Sequence, residues 1–145
     1  MIRKFEARDA DAAFAMAQES PEAAQWPLAS YHDLGLATET TWVAERGGRL
    51  AGFLVARTAG GEAEILNVVV DKTQRRLGVA SSLLETARFE FVASSVSRVF
   101  LEVRESNRGA LEFYAKFGFT RHGFRAGYYQ QPPEGAVLME MKLTG

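Results

Sequence analysis

Cysteine is absent from this chain of 145 residues. Its absence excludes disulfides, thiolate metal sites and any route through an acyl-cysteine intermediate. It also fits a reducing compartment, so a cytoplasmic location is expected. An excess of charge is missing as well: 17 basic and 18 acidic side chains leave a formal net charge of −1. That balance supplies no field for nucleic acid or an anionic membrane surface, and neither is expected as a partner. No apolar run is long enough to span a bilayer. The opening residues, Met1-Ile2-Arg3-Lys4-Phe5-Glu6, are charged and lack the apolar region of a signal peptide. His32 and His122 are the only histidines and have no ligand-spaced partners, so no metal site is expected. Repeats, linkers and low-complexity segments are also missing.

What is present reads as one domain over residues 1–145, long enough to bury a proper core. Hydrophobic residues make up 47% and charged residues 24%, as in ordinary water-soluble domains. Ile2 to Glu6 reads as a strand. Asp9 is placed to N-cap a helix carrying Ala13, Phe14, Met16 and Ala17, which Ser20-Pro21 ends. Trp26-Pro27 to about Leu36 is a second short helix. Thr41 to Glu45 and Leu50 to Thr58 form a hairpin around Gly47-Gly48. After Gly60-Gly61, Ile65 to Val70 is an almost continuous apolar run, the pattern of a strand buried on both faces. Val79, Leu83, Leu84, Ala87 and Phe91 have helical spacing. Val99 to Val103 is a strand, Asn107 to Phe117 a helix closed by Gly118, and Phe119 to Phe124 and Val137 to Leu143 are the last two strands. The order β-α-α-β-β-β-α-β-α-β-β predicts an α/β fold with a mixed sheet.

Two stretches carry chemistry. Arg75-Arg76-Leu77-Gly78-Val79-Ala80 is a basic, glycine-containing turn that opens a helix. A helix N-terminus exposes unpaired N–H groups and partial positive charge. Small residues there let a phosphate approach, while arginines and the Ser81 hydroxyl add donors. The same turn can equally be an ordinary strand–helix loop. The second stretch, Leu101-Glu102-Val103-Arg104-Glu105-Ser106-Asn107, breaks from a strand into a polar loop and then a helix bearing Ala110 and Tyr114. A phosphate cradle followed by a carboxylate and a phenol suggests acyl transfer from a phosphate-bearing carrier.

Arg75-x-x-Gly78-x-Ala80 resembles the pyrophosphate-binding motif of the GCN5-related N-acetyltransferases. Together with Asn67-Val68-Val69-Val70-Asp71, Leu101-Glu102-Val103-Arg104, Ser106-Asn107, Ala110, Tyr114, Gly118-Phe119 and Arg125-x-x-Tyr128-Tyr129, it makes the chain similar to the RimI-type ribosomal-protein-alanine N-acetyltransferases of that family. The likeness runs from Ile2 to Leu143. It implies the GNAT-type mixed, mostly antiparallel central sheet with helices on both faces. It also implies acetyl-CoA as co-substrate and an N-terminal α-amine of a protein or peptide as acceptor. Val68 and Val70 would offer backbone groups to the pantetheine arm and acetyl carbonyl. Arg75, Arg76, Gly78, Val79, Ala80 and Ser81 would cradle the pyrophosphate, and Asn107 would contact the coenzyme. Glu102 would be the general base and Tyr114 the acid that protonates the departing thiolate. Trp26, Tyr128 and Tyr129 would line the acceptor groove. Three departures from the pattern fall on the acceptor side: the reversed order Trp26-Pro27-Leu28, Gly135 where relatives often carry aspartate, and a short connection from Tyr129 to Val137.

The chemistry of the residues agrees. An amine must be neutral to attack a thioester, and an α-amine has a pKa of about 7.7–8.0 against about 10.4 for lysine. A modest carboxylate base then suffices, directly or through water, and a phenol can protonate the thiolate. Without cysteine, direct transfer in a ternary complex is favoured. Other readings stay open. Glu102 can be an outward strand carboxylate paired with Arg104, with Arg104 and Glu105 otherwise solvated. Tyr114 can be a core tyrosine, Asn107 a helix cap, Tyr128-Tyr129 strand-edge packing and Trp26 a hydrophobic plug. The acceptor can be a small amine such as a polyamine, amino acid or antibiotic. A non-catalytic coenzyme A-binding module is the remaining alternative. A monomer or homodimer is expected.

Overall fold

The computed structural model describes residues 1–34, 38–130 and 132–143. Its strands are β1 (Ile2–Lys4), β2 (Thr40–Arg46), β3 (Arg49–Ala59), β4 (Glu62–Val70), β5 (Arg98–Arg104), β6 (Thr120–Gln130) and β7 (Pro133–Lys142). The α-helices among the described residues are α1 (Ala10–Gln18), α2 (Leu28–Asp33), α3 (Val79–Ala93) and α4 (Arg108–Phe117). The order of elements is the one the sequence predicts. The expected end of the second helix, Leu36, lies outside the described residues. Short 3-10 turns at Ala7–Asp9 and Lys72–Gln74 are additions.

All strands join one sheet in the order β1-β2-β3-β4-β5-β7-β6. Every neighbouring pair is antiparallel except β4 with β5. Helices cover both faces. On one, the apolar side of α3 (Val79, Leu83, Leu84, Ala87, Phe91) packs with Trp42, Leu54, Leu101 and Met139, and Leu111 and Phe117 of α4 join them. On the other, Ala13, Met16 and Ala17 of α1 and Tyr31 of α2 pack on Val43, Phe53, Val55 and Val69.

Two local expectations need correction. Asp9 does not cap α1 with its side chain. Its carboxylate turns back, accepting the Glu6 N–H at 2.8 Å and pairing with both terminal nitrogens of Arg3, each at 2.8 Å. The first strand therefore stops at Lys4, where the chain bends into this bonded turn. The last two strands extend further toward each other than expected. β6 runs to Gln130 and β7 starts at Pro133, which is why the stretch between Tyr129 and Val137 looked short for a loop. Arg125 pairs with Ala136 and Tyr129 with Glu134, so Ala126, Gly127 and Tyr128 bulge opposite Gly135.

β4 departs most from expectation. Its pairing with β3 skips a residue: Ala56 faces Ile65 and Val55 faces Asn67, leaving Leu66 as a bulge. The bulge reverses which side chains face which layer. Ala63 and Ile65 belong to the α3–α4 core, yet beyond the bulge Val68 and Val70 do, while Leu66 and Val69 face α1 and α2. The apolar run is thus an alternating strand whose phase changes once. It is not buried on both faces: Leu66, Val68 and Val70 stay half-buried. β4 and β5 are paired only between Glu62–Glu64 and Arg98–Phe100. Beyond those residues the two strands separate, and the sheet opens at the carboxyl end of both.

Candidate active site

The opening between β4 and β5 is a cavity of about 840 Å³. Val68 and Val70 line one wall and Glu102 the other. Tyr114 and Asn107 reach it from α4, Arg75 from the turn before α3, and Tyr129 from β6. The segment from Ser20 to Trp26, between α1 and α2, closes a further side. Eight residues singled out from sequence therefore meet in one space, although they come from six parts of the chain.

The others lie outside it. Arg76, Gly78, Ala80 and Ser81 sit at the start of α3, and Tyr128 stands on the β6 bulge. Val79 sends its side chain into the core, so only its backbone is available to a ligand. The turn itself has the features of an anion site. Gly78 is the N-cap of α3 with φ +78°, a conformation that favours glycine, and no side chain caps this helix end. The first backbone bond is donated by Ser82 N–H to the Gly78 carbonyl at 3.0 Å. The N–H groups of Val79, Ala80 and Ser81 precede that bond and point out of the helix end. Arg75 and Arg76 are exposed beside them.

Glu102 does not pair with Arg104. Arg125 Nη1 lies 3.8 Å from its Oε1. The same carboxylate, acting on the Tyr128 hydroxyl, raises the Tyr128 pKa. Arg104 is not solvated either. It pairs with Glu134 at 3.1 Å, and its guanidinium lies 4.2 Å from the centre of the Tyr129 ring. The reason is reach across the sheet: β7 brings Glu134 beside Arg104, while the β6 bulge brings Arg125 and Tyr128 to Glu102. Glu105 is exposed as expected.

The phenols at this site are poor acids. Burial, with the Glu102 charge as a second contribution, pushes Tyr129 up to about 12. Burial also lifts Tyr114 well above an ordinary phenol. Its ring is held edge-on by Phe113 and Phe119 at centroid distances of 5.3 and 5.6 Å. At neutral pH all three tyrosines keep their protons and act as donors. Tyr114 is both a packed aromatic and a wall of the cavity. Asn107 likewise caps α4, its Oδ1 accepting the Ala110 N–H at 3.2 Å, and lines the cavity. Trp26 packs against Tyr31 at 5.8 Å and also faces the cavity.

Glu134 escaped the sequence reading. Its carboxylate accepts from Ser106 N–H at 3.1 Å, Ser106 Oγ at 3.0 Å and Arg104. It fastens the loop that leads to Asn107 against β7. Nothing in a segment read as loop marked it.

The arrangement offers an uncapped, basic helix end, a slot between separated strands, a carboxylate within the slot and a protonated phenol beside it. Known proteins are similar to this one along most of the chain. Residues 6–119 match the model of the Acetyltransferase (GNAT) family. An uncharacterized N-acetyltransferase of Methanocaldococcus jannaschii is 32% identical over 146 aligned residues, covering 98% of this chain and 91% of that protein. The [ribosomal protein bS18]-alanine N-acetyltransferase of Escherichia coli is 31% identical over 99 residues, 67% of each chain. The crystal structure of the Escherichia coli ribosomal-protein-S18-alanine N-acetyltransferase superposes with a TM-score of 0.88 at 26% identity, covering 100% of this chain and 96% of that one. The family model covers most of the chain and the relatives share its length: this chain belongs to the GNAT family of N-acetyltransferases.

Proposed function

We propose that this enzyme transfers the acetyl group of acetyl-CoA to the N-terminal α-amine of a protein or peptide, by direct attack in a ternary complex. The observation that carries the reading is the meeting of Glu102 and Tyr114 in one slot whose acceptor side is walled by Trp26 and Tyr129. In this reading the pyrophosphate rests on the Arg75–Ser81 turn and Asn107 contacts the coenzyme. The pantetheine arm runs along Val68 and Val70.

The amine nitrogen forms a bond to the acetyl carbon and the carbon–sulfur bond breaks. Glu102, directly or through a water, takes the proton the amine must lose. Tyr114 gives its proton to the departing sulfur and regains one from solvent. Burial keeps the phenol protonated, a hydrogen-bond donor to the sulfur as negative charge develops on it. An α-amine, with a pKa near 7.7–8.0, asks far less of that carboxylate than a lysine would. The Tyr128 and Tyr129 hydroxyls and flat rings suit a peptide backbone laid across the slot. The similarity to enzymes named for alanine N-termini of a ribosomal protein supports the same class of acceptor. Incubation with acetyl-CoA and a panel of N-terminal peptides and small amines tests it. Turnover of small amines alone would move the acceptor to that class.

A further inference from the structure

Few polar side chains are buried in this protein, and Asn67 is one of them at 6% exposure. An amide held there is costly unless it is hydrogen-bonded. It is bonded twice to a single residue. The Ala24 N–H donates to Oδ1 at 3.2 Å, and Nδ2 donates to the Ala24 carbonyl at 3.2 Å. The side chain thus meets the Ala24 backbone as a neighbouring strand would.

Ala24 lies within the Ser20–Trp26 segment that walls the cavity. Among the described hydrogen bonds, those to Asn67 are the ones that tie this segment to the sheet. Its other bonds stay local: Ser20 N–H to the Ala17 carbonyl, Ala23 N–H to the Ser20 carbonyl, and the Gln25 amide to carbonyls of Ala17, Ser20 and Ala23. Asn67 can reach Ala24 because of the bulge at Leu66. Without the bulge, Asn67 would share the face of Ala63 and Ile65 and point toward α3. With it, Asn67 shares the face of Val69, on the α1–α2 side. The irregularity that accompanies the opening of the slot also turns the anchor toward its wall.

We infer that Asn67 is a positioning residue that clamps the Ser20–Trp26 segment onto β4 and so fixes the acceptor-side wall. The inference rests on the proposed function for the statement that this wall serves the acceptor. Tyr31, fully buried beside the segment, packs its ring 5.8 Å from that of Trp26.

The test uses the full chain, Asn67→Ala and Asn67→Asp. Hydrogen–deuterium exchange without ligand reads the clamp itself. In Asn67→Ala the Ala24 amide should exchange about tenfold faster or more, as expected for a donor that has lost its buried partner. Amides of α1 and β3 should keep their rates. Asn67→Asp retains an oxygen for the Ala24 N–H and should lose less protection than Asn67→Ala. Steady-state kinetics read the wall. With an alanine-initiated peptide, KM for the peptide should rise about tenfold while KM for acetyl-CoA stays within about twofold. Unchanged protection of Ala24, protection lost equally across α1 and β3, or equal changes in both KM values would each overturn the clamp. If the parent acetylates only small amines, the peptide reading fails. The KM split is then read on that amine, so the two failures are distinguishable.

Discussion

Replacing Tyr114 with phenylalanine removes one oxygen and should cost rate without costing the fold. Phe113 and Phe119 hold the ring edge-on at 5.3 and 5.6 Å, and phenylalanine fills the same place with the same contacts. Burial alone acts on the hydroxyl, with no side-chain partner among the described residues, so its loss leaves no orphaned group. Stability should change by no more than about 0.5 kcal/mol. Transfer is different. Burial holds the phenol well above its ordinary pKa, so it reaches the reaction protonated. General acid catalysis contributes about 10²–10⁴-fold. That range corresponds to roughly 2.7–5.4 kcal/mol of activation free energy. The assay is kcat by coenzyme A release, with acetyl-CoA affinity by calorimetry and Tm by scanning calorimetry on the same preparation. Expected are a fall in kcat within that range, near-parental coenzyme affinity and near-parental Tm. A kcat within twofold of the parent would show that the phenol only packs, and the acid would have to be sought elsewhere.

Other expectations follow from the same site. Arg75→Ala and Gly78→Asp should both weaken acetyl-CoA binding: the first loses a charged donor worth about 1.5–3 kcal/mol and should leave Tm nearly unchanged, while the second sets a carboxylate against the pyrophosphate and, with a side chain held at φ +78°, should also lower Tm by a few degrees. Unchanged affinity in both would remove the cradle from the α3 turn. Glu102→Gln keeps the shape beside Arg125 and removes the base; activity should fall most below about pH 7 and partly recover above about pH 8, where an α-amine is already neutral. A deficit equal at every pH would make Glu102 a positioning residue. Acid should unfold the protein through Asp9 and Glu90. Burial opposes ionisation of both, but bonds from Arg3 to Asp9, and from Trp42 and Lys4 to Glu90, outweigh it and lower both pKa values. Groups depressed in the folded state stabilise it above the ordinary carboxylate range and lose that contribution as pH falls through it, so Tm should hold down to about pH 5 and drop below about pH 4. Asp9→Asn should lower Tm at neutral pH and flatten the acid limb; an acid limb as steep as the parent's would place the titrating group elsewhere.

The sequence carried much of this architecture because local patterns agree with the final packing. Gly47-Gly48 and Gly60-Gly61 do form the turns their composition predicts. The apolar spacing from Val79 to Phe91 is the buried face of α3. Asn107 and Gly118 stand at the two ends of α4. What stayed hidden depends on contacts between distant segments. A single extra residue at Leu66 changes the phase of β4, and nothing in Ile65–Val70 distinguishes a bulged strand from a doubly buried one. Glu102 and Arg104 share a strand face, so pairing them was the local choice. Residues more than twenty positions later claim each of them instead. Asp9 looked like a cap for the helix after it because propensity does not record that Arg3 folds back to take its carboxylate. The candidate residues were legible as types and spacing, whereas the two hydrogen bonds between Asn67 and Ala24 were visible only once β4 and the Ser20–Trp26 segment lay side by side.

The central claim is that the acetyl group goes to a peptide α-amine. The most direct measurement is mass spectrometric mapping of acetyl transferred from isotopically labelled acetyl-CoA. The substrates are an alanine-initiated peptide with an internal lysine and the same peptide with its N-terminus blocked. The label should appear on the α-nitrogen of the free peptide, remain absent from its lysine and fail to enter the blocked peptide. Label on the lysine of the blocked peptide, or no label in either peptide while a small amine is acetylated briskly, would contradict the account.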